Sequence, residues 1–252
     1  MVSTETQSVT PQQIRLADLG AALSAGLRDF RRAPQFGLFF SAVYVVGGFV
    51  MLWLGAGHVS WVLATSLGFP LIAPFAAAGL YEVSRRLEKG IALDWKGVLG
   101  IVWAERNRQL PLLGAFIVFF FLVWTFLAHI VFALFMGLST MTNISDSWAV
   151  FLSADGIKMI FAEFVIGTVL ALILFSLTVV SLPMLLDREV DVITAMLRSL
   201  QAVRENFLVM LVWAVTVAVL SLLALLPWFL GLMIVLPVLG HATWHLYRKA
   251  IA

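Results

Sequence analysis

From Leu110 to Gly137 the chain reads LPLLGAFIVFFFLVWTFLAHIVFALFMG, without a single Asp, Glu, Lys or Arg. Roughly 20 apolar residues, rising 1.5 Å each, cross the ~30 Å hydrocarbon core of a bilayer. This run exceeds that length and is apolar on every face, so its solvent is lipid and not water. It is also longer than a span requires, which predicts tilt or projection beyond the bilayer. Five other stretches have the same character, near residues 35–54, 60–81, 158–183, 207–226 and 228–247. Six transmembrane helices are therefore expected.

The composition agrees with this reading. Of 252 residues, 62% are hydrophobic and only 12% charged, with a mean hydropathy of +1.02; a soluble domain carries about twice that charged fraction. The formal charge of +2 is too small to point to nucleic acid as a partner, and the lipid bilayer is the partner it implies. Cysteine is absent, which excludes disulfides, thiolate-bound clusters and thiol catalysis. Met1 to Gln13 is polar and lacks the basic and apolar segments of a secretory signal, so the first hydrophobic run is expected to stay as an anchor.

The basic residues set the orientation. Arg15, Arg28, Arg31 and Arg32 precede the first span. Arg85, Arg86, Lys89, Lys96, Arg106 and Arg108 lie between the second and third. Arg188, Arg198 and Arg204 lie between the fourth and fifth, and Arg248 and Lys249 end the sixth. Six spans thus gather 15 of the 16 Lys and Arg on one side, leaving Lys158 on the other; five or seven would scatter them. That side is the cytoplasm, which places both termini inside and the chain in a bacterial inner membrane.

Three inner segments carry apolar residues at helical spacing: Leu16, Leu19, Leu23, Leu27 and Phe30; Ile91, Trp95, Val98, Val102 and Trp103; and Ile193, Met196, Leu197, Leu200 and Val203. Each stripe predicts a short helix, either flat on the membrane surface or packed on the protein's own inner face. The expected fold is all-α: a polytopic bundle of six transmembrane helices as three hairpins, each preceded by a cytoplasmic amphipathic helix. Residues 14–252 form one membrane domain and 1–13 a disordered tail. The second arms all carry proline: Pro70 and Pro74, Pro183, and Pro237. Three parallel repeats about the membrane normal would give this order. So would three unrelated hairpins under one charge bias, and both readings stand.

Ionisable groups at membrane depth are candidate sites. His129, Lys158 and Glu163 fall near the outer face, as does His58 in the first outer turn, and these four form a candidate outer polar cluster. His241 and His245 are four apart on one helix face, a spacing that can hold a metal. With no acidic partner near them in sequence, the preferred reading puts His245, with Trp244 and Tyr247, in the inner aromatic belt. No phosphate loop, dinucleotide fingerprint, zinc-protease motif or nucleophile elbow is present, so neither an enzyme nor a cofactor is expected. Small residues in the first two spans (Gly47, Gly48, Ala73, Ala76 to Gly79) permit close helix contact or a partner surface.

The run LPVLGHATWHLYR from Leu236, together with FPLIAPF from Phe69 and GLYE from Gly79, resembles a bacterial family of six-span integral membrane proteins of unknown function, whose members often carry a cytochrome c oxidase label. The resemblance covers about residues 14–252 and brings no catalytic residues with it. An oxidase core needs several intramembrane histidines for two haems and a copper. This chain has four His, divided between the two faces, so the resemblance implies at most an accessory subunit. The leading expectation is a non-catalytic accessory or assembly partner of a membrane complex, with respiratory complexes the first to consider. The alternatives are a small transporter or channel for a neutral or lipid-like substrate, and a surface organiser that binds anionic lipid.

Overall fold

The computed structural model describes residues 12–54, 69–137 and 151–251. Among them every regular element is helical: α1 (Leu16–Arg32), α2 (Pro34–Leu54), α3 (Phe69–Lys89), α4 (Trp95–Glu105), α5 (Leu110–Met136), α6 (Ala154–Thr178), α7 (Ser181–Asp187), α8 (Val192–Glu205), α9 (Phe207–Leu225) and α10 (Leu232–Ala250). Three stretches are long and apolar enough to cross a membrane: Leu110–Met136, Ala154–Asp187 and Phe207–Leu225. Counting the bent pair α1–α2 as one span gives a fourth. The C-terminal ends of α3 and α10 carry Glu82, Arg85, Arg86, Glu88 and Lys89, and His241, His245, Arg248 and Lys249, which lowers their mean hydropathy.

Proline explains the breaks. The chain turns by 101° between α1 and α2. Pro34 forbids the helical conformation at the residue before it, and Ala33 accordingly sits at φ −139, ψ 53. Pro183, expected inside one continuous fourth span, lacks the N–H that would bond back one turn and would clash with the Val179 carbonyl. The helix therefore divides into α6 and α7. Ser199 of α8 bridges the gap: its Oγ accepts from the Val180 N–H at 3.1 Å and donates to the Ser176 carbonyl at 2.8 Å.

The last span, expected from residue 228, begins later: Pro227 lies in a turn and α10 starts only at Leu232. Trp228 and Phe229 take positive φ of 52 and 65, each at a cost of order 1–3 kcal/mol. Phe229 packs over Gly48 of α2, a contact that holds the turn. The last hairpin is thereby seated on the first.

The hairpin partners touch: α2 with α3, α5 with α6, and α9 with α10. The second arms also meet one another, α3 with α7, α3 with α10 and α7 with α10. Their C-terminal halves join Tyr81, Met184, Trp244 and Tyr247 to Leu113, Met210 and Trp213 in one buried core. Each short helix packs on the second arm before it: α4 on α3, α8 on α6 and α7, and α1, closing the ring, on α10. The buried face of α1 is Leu19, Ala22, Gly26 and Asp29, rotated from the expected stripe, of which only Leu19 is buried and Leu16 is 61% exposed. α8 behaves alike, burying Met196 and Val203 and exposing Ile193 and Leu197. Packing on the protein thus takes one flank of each stripe.

Candidate functional site

Titratable side chains converge where α1, α3 and α10 meet. Asp29 enters on the buried face of α1 because Gly26, one turn earlier, lets the backbones close. A Cβ there would lie 2.5 Å from the Val238 carbonyl and 2.6 Å from the Ala242 nitrogen. α1 runs antiparallel to the end of α10: the Gln12 N–H reaches the Ala250 carbonyl at 2.8 Å and Lys249 Nζ reaches Asp18 Oδ1 at 2.6 Å. Asn206 anchors the entry, accepting from the Ile14 N–H at 2.7 Å and donating to the Gln12 carbonyl at 3.0 Å.

Asp29 Oδ2 receives His245 Nε2 at 2.7 Å and Ser84 Oγ at 2.9 Å, and Ser84 Oγ lies 2.8 Å from His241 Nδ1. A carboxylate only accepts, so Ser84 commits its one proton to Asp29 and must accept from His241. This assigns the Nδ1–H tautomer to His241. Its Nε2 is buried and has no hydrogen-bond partner among the described residues. Burial pushes the Asp29 carboxyl up, but the hydrogen bonds from His245 and Ser84 outweigh it and hold the group below its ordinary value. The result is a proton-bearing chain, His241–Ser84–Asp29–His245, that closes the first helix onto the last.

Around it lies a second layer of charge. Arg248 bonds Glu88 at 3.1 Å and Asp187 at 3.2 Å, Trp244 Nε1 donates to Glu88 at 3.0 Å, and the Tyr247 hydroxyl donates to Asp187 at 3.0 Å. These contacts tie the C-terminal ends of α3, α7 and α10 together. The fully buried Glu82 accepts Nε of both Arg85 and Arg86 at 2.7 Å, and Arg86 continues to Asp94 at 3.2 Å, fixing the turn into α4.

The expected sites are only partly brought together. His241 and His245 do share a face, but His241 Nδ1 is engaged with Ser84 and His245 Nε2 with Asp29, and among the described residues no group of three or more His, Asp or Glu is placed to hold a metal. In the outer cluster, His129 acts electrostatically on Glu163, and its Nδ1 donates to the Thr125 carbonyl at 2.7 Å. Lys158 pairs with Asp155 at 3.0 Å, and His58 lies outside the described residues. Asp29, Ser84, Glu88 and Asp187 were missed. A signal existed for the first: Leu19, Ala22, Gly26 and Asp29 recur at spacings of three, four and three, a face of small residues ending in a carboxylate.

A family model described as a predicted integral membrane protein (DUF2189) matches residues 62–187, half of the chain. No curated protein and no solved structure matches it.

Proposed function

The chain belongs to this family of predicted integral membrane proteins, and on that premise we propose that it is a six-span, non-catalytic partner protein of a bacterial inner-membrane complex, with both termini in the cytoplasm. The observation that carries this reading is the filling of the centre. Where the three second arms meet, Tyr81, Met184, Trp244 and Tyr247 are all buried in one core, so the inner end holds packed aromatic rings in place of a path. The surface that remains for function is the outside. Only 11% of the most apolar window of α5 and 17% of that of α9 is buried, and lipid or a neighbouring subunit can cover such faces equally well.

The ring of contacts supports three parallel repeats. Each short helix sits on the second arm of the preceding unit, and α1 completes the circle on α10, as rotation about the membrane normal would require. The test is recovery of the C-terminally tagged protein from its native membrane in mild detergent, followed by mass spectrometry. Stoichiometric co-purification of other membrane subunits, respiratory ones first among them, supports the reading. Recovery of the chain alone, with all respiratory complexes intact in a deletion strain, defeats it.

A second reading has its own observation. Arg28, Arg31, Arg32, Lys96 and Arg204 are exposed and have no ion-pair partner among the described residues. Exposed Trp95, Trp103, Ile193 and Leu197 accompany them on the short helices. Apolar and basic residues together suit an anionic lipid surface. Native mass spectrometry separates the cases: salt-sensitive retention of phosphatidylglycerol over phosphatidylcholine supports lipid organisation, and equal retention removes it.

A further inference from the structure

Between α5 and α6, away from the α1–α10 junction, lies a lateral groove of about 530 Å³. That volume falls within the range of sites for small organic molecules. Phe120, Phe121, Trp124 and Phe164 wall it with aromatic rings, and Glu163 lines it. Residue 167 in its wall is glycine: a Cβ there would collide with the Trp124 ring, so the indole settles against bare backbone.

Glu163 stands nine residues after Ala154, roughly 14 Å along the helix at 1.5 Å per residue. Counted from the start of the expected fourth span at residue 158 it lies five residues, about 8 Å, into the apolar run, near its outer end. Among the described residues it has no hydrogen bond and no salt bridge; His129 acts on it electrostatically. The other polar side chain of the groove, Thr168, spends its hydroxyl proton on the Phe164 carbonyl at 2.8 Å. A carboxyl without a hydrogen bond among the described residues thus lines a groove walled by aromatic rings. A carboxylate repels anions, and aromatic faces attract cations through the ring quadrupole. A charge at this depth is costly unless a counter-ion neutralises it.

We propose that this groove is a binding site for a membrane-soluble organic cation, an ammonium-type or phosphonium-type centre with apolar substituents, whose charge meets Glu163 while its substituents lie against Phe120, Trp124 and Phe164. The proposal is independent of the partner reading above.

The test is equilibrium binding of tetraphenylphosphonium to the purified full-length protein in detergent, with neutral tetraphenylsilane as the control of equal shape. Saturable binding is expected for the cation and not for the silane. Glu163→Gln weakens it by about tenfold or more, Glu163→Asp keeps part of it, and Trp124→Ala weakens it several-fold. Should Glu163→Gln fail to fold, as judged by gel filtration and circular dichroism, Gly167→Ala serves in its place, because it displaces Trp124 without altering any charge; loss of binding is again expected. The proposal is overturned if the wild type shows no saturable binding, if the neutral silane binds as well as the cation, or if binding survives Glu163→Gln unchanged.

Discussion

Asp29 of the first helix and His245 of the last are joined by a hydrogen bond of 2.7 Å, across 216 positions of sequence. Ser84 of α3 adds a second donor to the same oxygen at 2.9 Å. Three elements remote in sequence thus share one carboxylate, and the closure of the ring depends on its charge.

Acid should open that closure. The folded Asp29 value lies below the ordinary carboxylate value, so its ionised form stabilises the fold at every pH above about 4. The contribution disappears as pH falls through the lowered folded value. Hydrogen exchange of α1 in detergent should therefore rise below about pH 4 in the wild type. In Asp29→Asn it should already be high at pH 7, since a hydrogen bond to a charged group is worth about 1.5–3 kcal/mol. Identical protection in the two proteins at pH 7 would contradict the assignment.

Two glycines of α1 should respond in opposite ways. At Gly26 a methyl meets the backbone of Val238 and Ala242, and overpacking costs about 1–3 kcal/mol. At Gly20 nothing lies within 4 Å, so alanine should gain up to about 1 kcal/mol from helix propensity. Thermal unfolding should show Gly26→Ala lowering Tm and Gly20→Ala holding or raising it.

Ser199→Ala should weaken the α6–α7 break. It removes the acceptor of the Val180 N–H and the donor to the Ser176 carbonyl at a fully buried site. An unsatisfied buried group costs about 1–3 kcal/mol. A Tm unchanged from wild type would mean that the break stands without the bridge.

The absence of cysteine gives a clean test of six spans. Single replacements Lys96→Cys and Glu189→Cys should resist a membrane-impermeant maleimide in intact cells and react after permeabilisation. Ser145→Cys should react in intact cells. Labelling of Lys96→Cys in intact cells would overturn the orientation.

The helical class, the long apolar runs of α5, α6–α7 and α9 and the helicity of the short segments α1, α4 and α8 were legible in the sequence. Length, hydropathy and helical spacing are local properties, and lipid as solvent makes them decisive: backbone groups inside a bilayer must be satisfied within the helix itself. Even so, the effect of Pro183 depended on a serine 16 positions later in another element, and the late start of α10 at Leu232 depended on Phe229 finding Gly48.

The polar site was not legible, because hydropathy says which faces avoid water and nothing of which faces meet. His241 and His245 looked partnerless only along the chain; Asp29 and Ser84 reach them through packing made possible by Gly26. The sequence by itself determined the solvent of this protein, its helices and the bias of its charges. Tertiary structure alone decided which stripe flank was buried, which carboxylate met which histidine and how the ring closed, since those outcomes follow from close-packed contacts between residues that no sequence spacing relates.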